Sequence, residues 1–321
     1  MQNSDQPTIS IVLPVYNGEK YLASCLQSIE RQTFGDYELL IGDDGSTDET
    51  PQIIGRYADT RWRYIRHAQN RGLFGNLNYL IASTRAPLIR FLCQDDILET
   101  NCLAEEVTFF AEHSDIGMFF NKCHIIDEKG VVVGRSPIDD LPAVMPPHVS
   151  LQYYYYFGCL PGNLSTACIS RKALEQLGAF DESYQVAGDF EMWIRICKQF
   201  TMGVLHKYLV KLRNHTHQLS RSHKSFLAHT LESRRIRADI LPELPAEIRD
   251  AASHYTLMRQ NVFDTHYALR CLIEGRGGDA ATIARAMGTR DLAVGLVFWL
   301  ASANNHLFHP TPKFTADALR L

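Results

Sequence analysis

The first half of the chain alternates short apolar runs with stretches of helical spacing, and this alternation limits the fold more than any other feature. Ile9 to Val15 (ISIVLPV) is apolar and β-branched almost throughout, the pattern of a strand covered on both faces. Tyr21, Leu22, Cys25, Leu26 and Ile29 follow at helical spacing, and Tyr37 to Ile41 (YELLI) supplies a second strand. Ser46-Thr47-Asp48-Glu49 has the form of a capping box, which predicts a helix continuing to about Tyr57. A weaker strand at Arg63 to His67, a helix over Gly75 to Ser83 and a strand at Leu88 to Cys93 come next. A helix from about Asn101 to His113 and a strand between Ile116 and Ile126 complete the series. Alternating units of this kind make a mainly parallel sheet with right-handed crossovers and flanking helices, hence an α/β fold.

In such sheets ligands bind outside the carboxyl ends of the strands. The residues there are Tyr16-Asn17, Asp43-Asp44-Gly45-Ser46 and Gln94-Asp95-Asp96, so three separate stretches bring polar or acidic groups to one rim. Composition narrows what they could meet. The 321 residues carry a formal net charge of −4, without the basic excess of a nucleic-acid binder. An anionic ligand would therefore be met by a few local residues or a metal. Hydrophobic residues at 45% and charged residues at 21% exclude global disorder. None of the eight cysteines forms a CxxC pair, which argues against a zinc ribbon or a redox dithiol. A G-x-G-x-x-G fingerprint, a P-loop and a calcium-loop spacing are all absent, which disfavours a nicotinamide-dependent oxidoreductase or an ATPase.

Each acidic stretch has two readings. Adjacent carboxylates at Asp95-Asp96 repel unless hydrogen-bond donors or a divalent cation compensate, and Mg²⁺ or Mn²⁺ binds through one or two carboxylates plus substrate phosphates. The same pair could be a solvated turn that caps a helix. Asp43-Asp44-Gly45-Ser46 could hydrogen-bond a base or ribose, or form a tight turn, with Gly45 at positive φ and Ser46 as a cap. Asp189 follows Gly188 and opens a helix containing Trp193, where it could be a directed carboxylate or an ordinary N-cap. Arg213 and His215 are two apart, so on an extended segment they point the same way. Tyr153 to Tyr156 could wall an acceptor site, since aromatic faces stack on sugar rings, although on one helix they cannot all face one way.

Taken in order, Leu13-Pro14-Val15-Tyr16-Asn17, Asp43-Asp44-Gly45-Ser46-Thr47-Asp48, Asn70-Arg71-Gly72 with Gly75-Asn76-Leu77-Asn78, Gln94-Asp95-Asp96, Gly188-Asp189-Phe190-Glu191-Met192-Trp193 and Arg213-Asn214-His215 resemble glycosyltransferase family 2. The resemblance covers about residues 8 to 221. It implies a GT-A fold and an inverting nucleotide-sugar transferase. Pro14, Tyr16 and Asn17 would border the base, with Asp43 and Asp44 accepting from its imide N–H, as uracil could supply. Arg71 would lie near the nucleotide and Arg213 would pair with phosphate. The usual family motif is D-x-D; here Gln94 stands at its first position, which leaves Asp96 as the metal ligand and Asp95 at the ribose. His215 would ligate the metal or touch the diphosphate. Asp189 would be the base that deprotonates the acceptor hydroxyl, with Glu191 as second candidate. Tyr155, Asn163 and Glu191 are the candidates for the acceptor side.

These readings give a GT-A transferase domain over residues 1–221 and a helical appendage over 222–321. The expected activity is metal-dependent, inverting transfer of a sugar from a nucleotide diphosphate, a UDP-sugar being favoured, to a glycan or lipid-linked acceptor in surface polysaccharide synthesis. The alternative is a non-catalytic sugar-nucleotide or glycan-binding module on the same fold. The polar opening MQNSDQPT lacks a secretory signal. The apolar run Leu292 to Ala303 is shorter than the ~20 residues that span a bilayer. A cytoplasmic protein is expected, in some settings peripheral to the inner face of the membrane. Because Leu292 to Ala303 is apolar almost all round and its flanks lack a Lys/Arg-rich face, it should pack within the appendage or between two copies of the chain, with contact to a membrane interface as the alternative.

Overall fold

The computed structural model describes residues 6–216, 218 and 222–303. The chain divides into two compact units. The first comprises Met1–Pro147, Pro161–Ser183 and Glu191–Thr216; the second comprises His148–Leu160, Tyr184–Phe190 and His217–Leu321.

The first unit is built on one mixed sheet. Its strands are β1 (Ile9–Val15), β2 (Tyr37–Asp43), β3 (Trp62–Arg66), β4 (Leu88–Phe91), β5 (Ile97–Leu98), β6 (Ile116–Ile126), β7 (Val132–Arg135), β8 (Val144–Met145), β9 (Ala167–Ser170) and β10 (Thr201–Arg213). Their order is β3-β2-β1-β4-β9-β6-β10-β5, with β7 on β6 and β8 on β10. The block β3-β2-β1-β4 is parallel, as the βα alternation requires, and so is the β6–β10 pair. Between them β9 runs antiparallel to both β4 and β6. β1 and β2 are buried at every position, which explains their mainly apolar runs; the two polar residues that face each other inside them, Ser10 and Glu38, are paired, Ser10 Oγ donating to Glu38 Oε1 at 2.6 Å.

Helices α1 (Leu22–Glu30), α2 (Thr50–Ile54), α3 (Gly72–Ser83), α4 (Cys102–Glu112), α5 (Pro147–Phe157), α6 (Arg171–Leu177) and α7 (Gly188–Cys197) connect the strands. α1 turns Leu22, Cys25, Leu26 and Ile29 into the same core as Ile11, Leu13 and Leu39. The expected capping box does not form. α2 begins only at Thr50, and Ser46 is drawn away to accept the Asn17 N–H at 2.9 Å. Asp48 takes both parts, its Oδ2 accepting the Glu19 N–H of the β1 loop at 3.0 Å and its Oδ1 the N–H of Thr50 at the start of α2 at 3.0 Å. Across β4, β9 and β6 the sheet encloses a wholly buried ion pair, Arg90 Nε to Glu106 Oε2 at 3.5 Å. Asn121 Nδ2 donates to Glu106 at 2.7 Å and an Arg90 amine donates to the Ala167 carbonyl at 3.3 Å, so the pair fixes the three strands against one another.

In the second unit α8 (His223–Ile240), α9 (Ala246–Ile273) and α10 (Gly277–Ala303) form the helical appendage. α10 is interrupted at Gly288, whose φ of 75° leaves the helical region. Tyr267, Cys271, Ala280, Ile283 and Met287 form its small apolar core. Arg234 ties the helices by donating to Asp264 at 2.7 Å and Asp291 at 2.9 Å, and burial pushes the Asp264 carboxyl up to about 6. The apolar run at the end of α10 is less covered than expected: Val297 is 64% and Leu300 61% exposed. One face only is covered, at Gly295, where a Cβ would stand 2.7 Å from the Asn261 carbonyl oxygen of α9. Among the described residues no helix is long and apolar enough to cross a membrane.

Candidate active site

The rim at the carboxyl ends of β1, β2, β4 and β10 is assembled from chain segments far apart in sequence, each held by hydrogen bonds to the next. After β1, the Gln94 amide grips Tyr16 from both sides: Oε1 accepts the Tyr16 N–H at 2.9 Å and Nε2 donates to its carbonyl at 3.1 Å. Thus the residue standing in place of an acidic one serves as a clamp. Asn17 has a φ of 48°, tolerated by a short amide side chain. Its Oδ1 accepts the Thr47 N–H at 2.9 Å, joining the β1 and β2 loops. Tyr16 is 48% exposed, and an exposed aromatic residue is suited to lie against a planar base.

Asp43 and Asp44 are both buried and both occupied. Asp43 accepts from Ser46 N at 2.8 Å and from the Tyr64 hydroxyl at 2.8 Å, with Arg66 Nε 3.5 Å away. Burial, and after it the Asp43 carboxylate, raises the Tyr64 hydroxyl above its ordinary pKa. Asp44 accepts the Arg71 N–H at 2.7 Å, which places Arg71 at the start of α3, its guanidinium 5.4 Å from the Tyr79 ring centre. Asn76, one of the motif asparagines, donates to the Gly42 carbonyl at 2.7 Å and pins α3 to β2.

The two acids after β4 have opposite situations. Asp96 is 2% exposed. Its Oδ1 accepts the Arg213 N–H at 2.8 Å and its Oδ2 accepts the Ser165 hydroxyl at 2.5 Å. Burial pushes its carboxyl up to about 7 against those two donors. Asp95 instead keeps a side chain 24% exposed, with Oδ2 3.2 Å from His215 Nε2. Arg213, 5% exposed, donates through Nε to the Asp95 carbonyl at 3.0 Å and through one amine to the carbonyls of Asp127 and Glu128 at 3.1 Å each. Its guanidinium lies 4.5 Å from the Tyr21 ring centre, and the same ring sits 5.0 Å from His215. Arg213 therefore braces the rim through main-chain carbonyls. Tyr21 and Ser165 complete this cluster. Tyr21 carries no local signal, because it reads as one more apolar position of α1. Asn163, a candidate for the acceptor side, holds the Ser165 turn: its Oδ1 accepts the Ser165 N–H at 2.7 Å, and Ser165 Oγ also accepts the Cys93 N–H at 2.8 Å.

Asp189 is the second residue of α7 and lies half-buried in the second unit. Burial pushes its carboxyl up to about 6, the Phe190 N–H at 2.7 Å opposes that, and the charge of Glu232 adds to it. Glu191 is bound to Arg195 one turn on at 2.9 Å, and Arg195 also donates to the carbonyls of Leu177 and Ala179, so Glu191 holds a helix against a turn. Tyr153, Tyr154 and Tyr155 are all buried, Tyr155 at 2%. Tyr156 alone of the four keeps partial exposure, with the Tyr255 ring 4.9 Å from its own. Among the described residues no group of three or more His, Cys, Asp or Glu side chains is placed to hold a metal ion; the fitting pair is Asp95 with His215.

A parallel βα block extended by an antiparallel strand, with acidic residues at the strand ends, is the architecture of GT-A glycosyltransferases. S. aureus TarS 1–349 superposes with a TM-score of 0.67 at 19% identity, over 94% of this chain and 93% of that one. The mannosyltransferase PcManGT from Pyrobaculum calidifontis, in complex with GDP-Man and Mn²⁺, gives 0.57 at 16% identity over 95% and 82%. Residues 10–178 match the family model for Glycosyl transferase family 2, and the chain belongs to that family. Among curated proteins, an uncharacterized glycosyltransferase of Rickettsia felis is 28% identical over 245 residues, which is 75% of this chain and 39% of that protein. The chain thus spans well under half the length of that relative.

Proposed function

We propose that the chain is an inverting transferase that moves a sugar from a nucleotide diphosphate, a UDP-sugar in the first instance, to the hydroxyl of a glycan or lipid-linked acceptor. The observation that carries this reading is the Asp95–His215 pair, 3.2 Å apart, brought together from the segments that follow β4 and β10. A partly exposed carboxylate beside an imidazole is a donor set that suits Mn²⁺ better than the all-oxygen preference of Mg²⁺. A cation there would neutralise charge developing on the diphosphate leaving group. Asp95 and His215 would hold it, in place of the Asp96 expected from the motif. Asp96 would keep the Arg213 end of β10 and the Ser165 turn in register behind them. Tyr16 would face the base. Asp189 would take the acceptor proton, a role its raised pKa suits, since a base works best with a pKa near ambient pH. The TarS fold has also been seen with UDP-GlcNAc bound, at a TM-score of 0.63 and 16% identity, which supports UDP-GlcNAc as the first donor to try. A role in surface polysaccharide synthesis goes with this reading.

The test is thermal stabilisation of the full chain by a panel of nucleotide sugars with Mn²⁺ or with EDTA, followed by UDP release from the donor that binds. Metal-dependent binding with release supports the transferase. Metal-dependent binding without release under any acceptor supports the non-catalytic binding module instead. No stabilisation by any nucleotide sugar sinks both.

A further inference from the structure

Three consecutive main-chain amides converge on one side chain of the appendage. Glu232 of α8 accepts the N–H of Gln185 through Oε1 at 2.7 Å, and those of Val186 and Ala187 through Oε2 at 3.1 and 2.7 Å. A run of backbone amides pointing the same way is an anion-binding nest, and here the anion is built into the protein. The residues so gripped lead directly into α7, and Asp189 is two positions beyond the last of them. The same segment is held at its other points within the second unit. Arg235, also of α8, lies 5.0 Å from the ring centre of Tyr184, and Phe190 stacks on Tyr154 of α5 at 5.9 Å. Free segments entering a helix can shift by an ångström at little cost; three charge-assisted bonds and two ring contacts remove that freedom.

We infer that Glu232 is a positioning residue for Asp189, so that the helical appendage sets the place of the acceptor-deprotonating carboxylate. The inference rests on the reading of Asp189 as the base. Two further observations fit it. Glu232 bonds both oxygens to the segment, whereas a charge serving solubility alone would face water. Its negative charge also helps hold the Asp189 carboxyl above its ordinary pKa. Misplacing a reacting group by about 1 Å can cost ~10²-fold in rate, so the effect of losing the grip is measurable.

The experiment compares the full chain with Glu232→Ala, Glu232→Gln, Asp189→Asn and the Glu232→Ala/Asp189→Asn double variant. Hydrogen–deuterium exchange and UDP release from UDP-GlcNAc with Mn²⁺, water acting as acceptor, are read on each. In Glu232→Ala, amides 185–187 should exchange at least ~10-fold faster while those of β1 and β4 stay as in the parent, because the grip is local. Its kcat should fall ~10²-fold with KM for UDP-GlcNAc within about twofold, because the donor rim is untouched. Glu232→Gln should fall between, since one oxygen is replaced by a donor that faces a donor. In the Asp189→Asn background, Glu232→Ala should add little, the signature of one shared function. Unchanged exchange at 185–187 in the Ala and Gln variants overturns the inference without any assay of turnover. So does an inactive Asp189→Asn beside a fully active Glu232→Ala, or a KM that rises as much as kcat falls. Full turnover by Asp189→Asn removes the base reading itself, and the inference with it.

Discussion

Asp95 and Asp96 show how much one peptide unit decides. Consecutive residues leave the main chain in different directions, so one carboxylate meets the interior and the other the rim. The interior one meets Ser165 and the Arg213 amide, 69 and 117 residues further along the chain. Replacing Asp96 by Ala should leave both donors unpartnered and cost about 2–3 kcal/mol, seen as a lower midpoint in thermal unfolding. Asp95→Ala should leave that midpoint within about a degree, because a partly exposed surface carboxylate adds little stability. It should instead weaken Mn²⁺-dependent UDP binding at least ~10-fold by calorimetry. Equal loss of binding in both, with no loss of stability in Asp96→Ala, would return the metal to Asp96. Asp189 is the proposed base for the acceptor proton. The base must be ionised, its carboxyl sits at about 6 because burial disfavours the charge, and so kcat should fall about tenfold per unit below pH 6 and level off above it. A flat profile between pH 5 and 8 would assign the proton to another group.

Among the elements, β1, β2, β4 and β6 are legible because strands covered on both faces are mainly apolar, the few polar residues inside them, such as Arg90 and Asn121, being paired, these two with Glu106. The short β9 (Ala167–Ser170) is not: its four residues become a strand only through pairing with β4 and β6, which nothing local encodes. The capping-box reading of Ser46 failed for the same reason, since a partner in another loop outcompeted the helix start. At the site, the acids at the strand ends are visible in sequence because polar residues after an apolar run stand out. Which of them faces outward, and that Tyr21 braces Arg213, are consequences of tertiary packing. The α3–β2 contact offers a direct test of such packing. A Cβ on Gly42 would fall 2.2 Å from Asn76 Oδ1, in a fully buried strand. Gly42→Ala should therefore displace Asn76 and α3 and cost ~1–3 kcal/mol in urea unfolding, whereas the usual effect of adding a methyl to a strand is small. Parental stability would mean that α3 can move away freely.

At the scale of the molecule, the candidate donor-rim residues and Asp189 belong to different compact units, and the second unit is completed only by the C-terminal helices. A chain ending at residue 221 should keep Mn²⁺-dependent UDP binding through Asp95 and His215 yet release UDP from UDP-GlcNAc at least ~10²-fold more slowly, since Glu232 is gone. Retained turnover would make the appendage dispensable to the chemistry. The place of β9 has a further consequence, in the time order of synthesis. β4 is complete once residue 91 has been made, but the strand that pairs with its far edge is finished only at residue 170. At 5–20 residues per second the ribosome takes roughly 4–16 s to supply it. Through that interval Leu88–Phe91 presents an unpaired strand edge to whatever other chain is near, and Leu92, Leu98 and Phe119, as each is made, await the later members of their core cluster, such as Cys168 and Leu205. The nascent chain is thus most open to wrong pairing, or to capture by a chaperone, while the middle of the sequence is being made, and slowing translation between those two points should lower the yield of folded protein more than slowing it anywhere after residue 170.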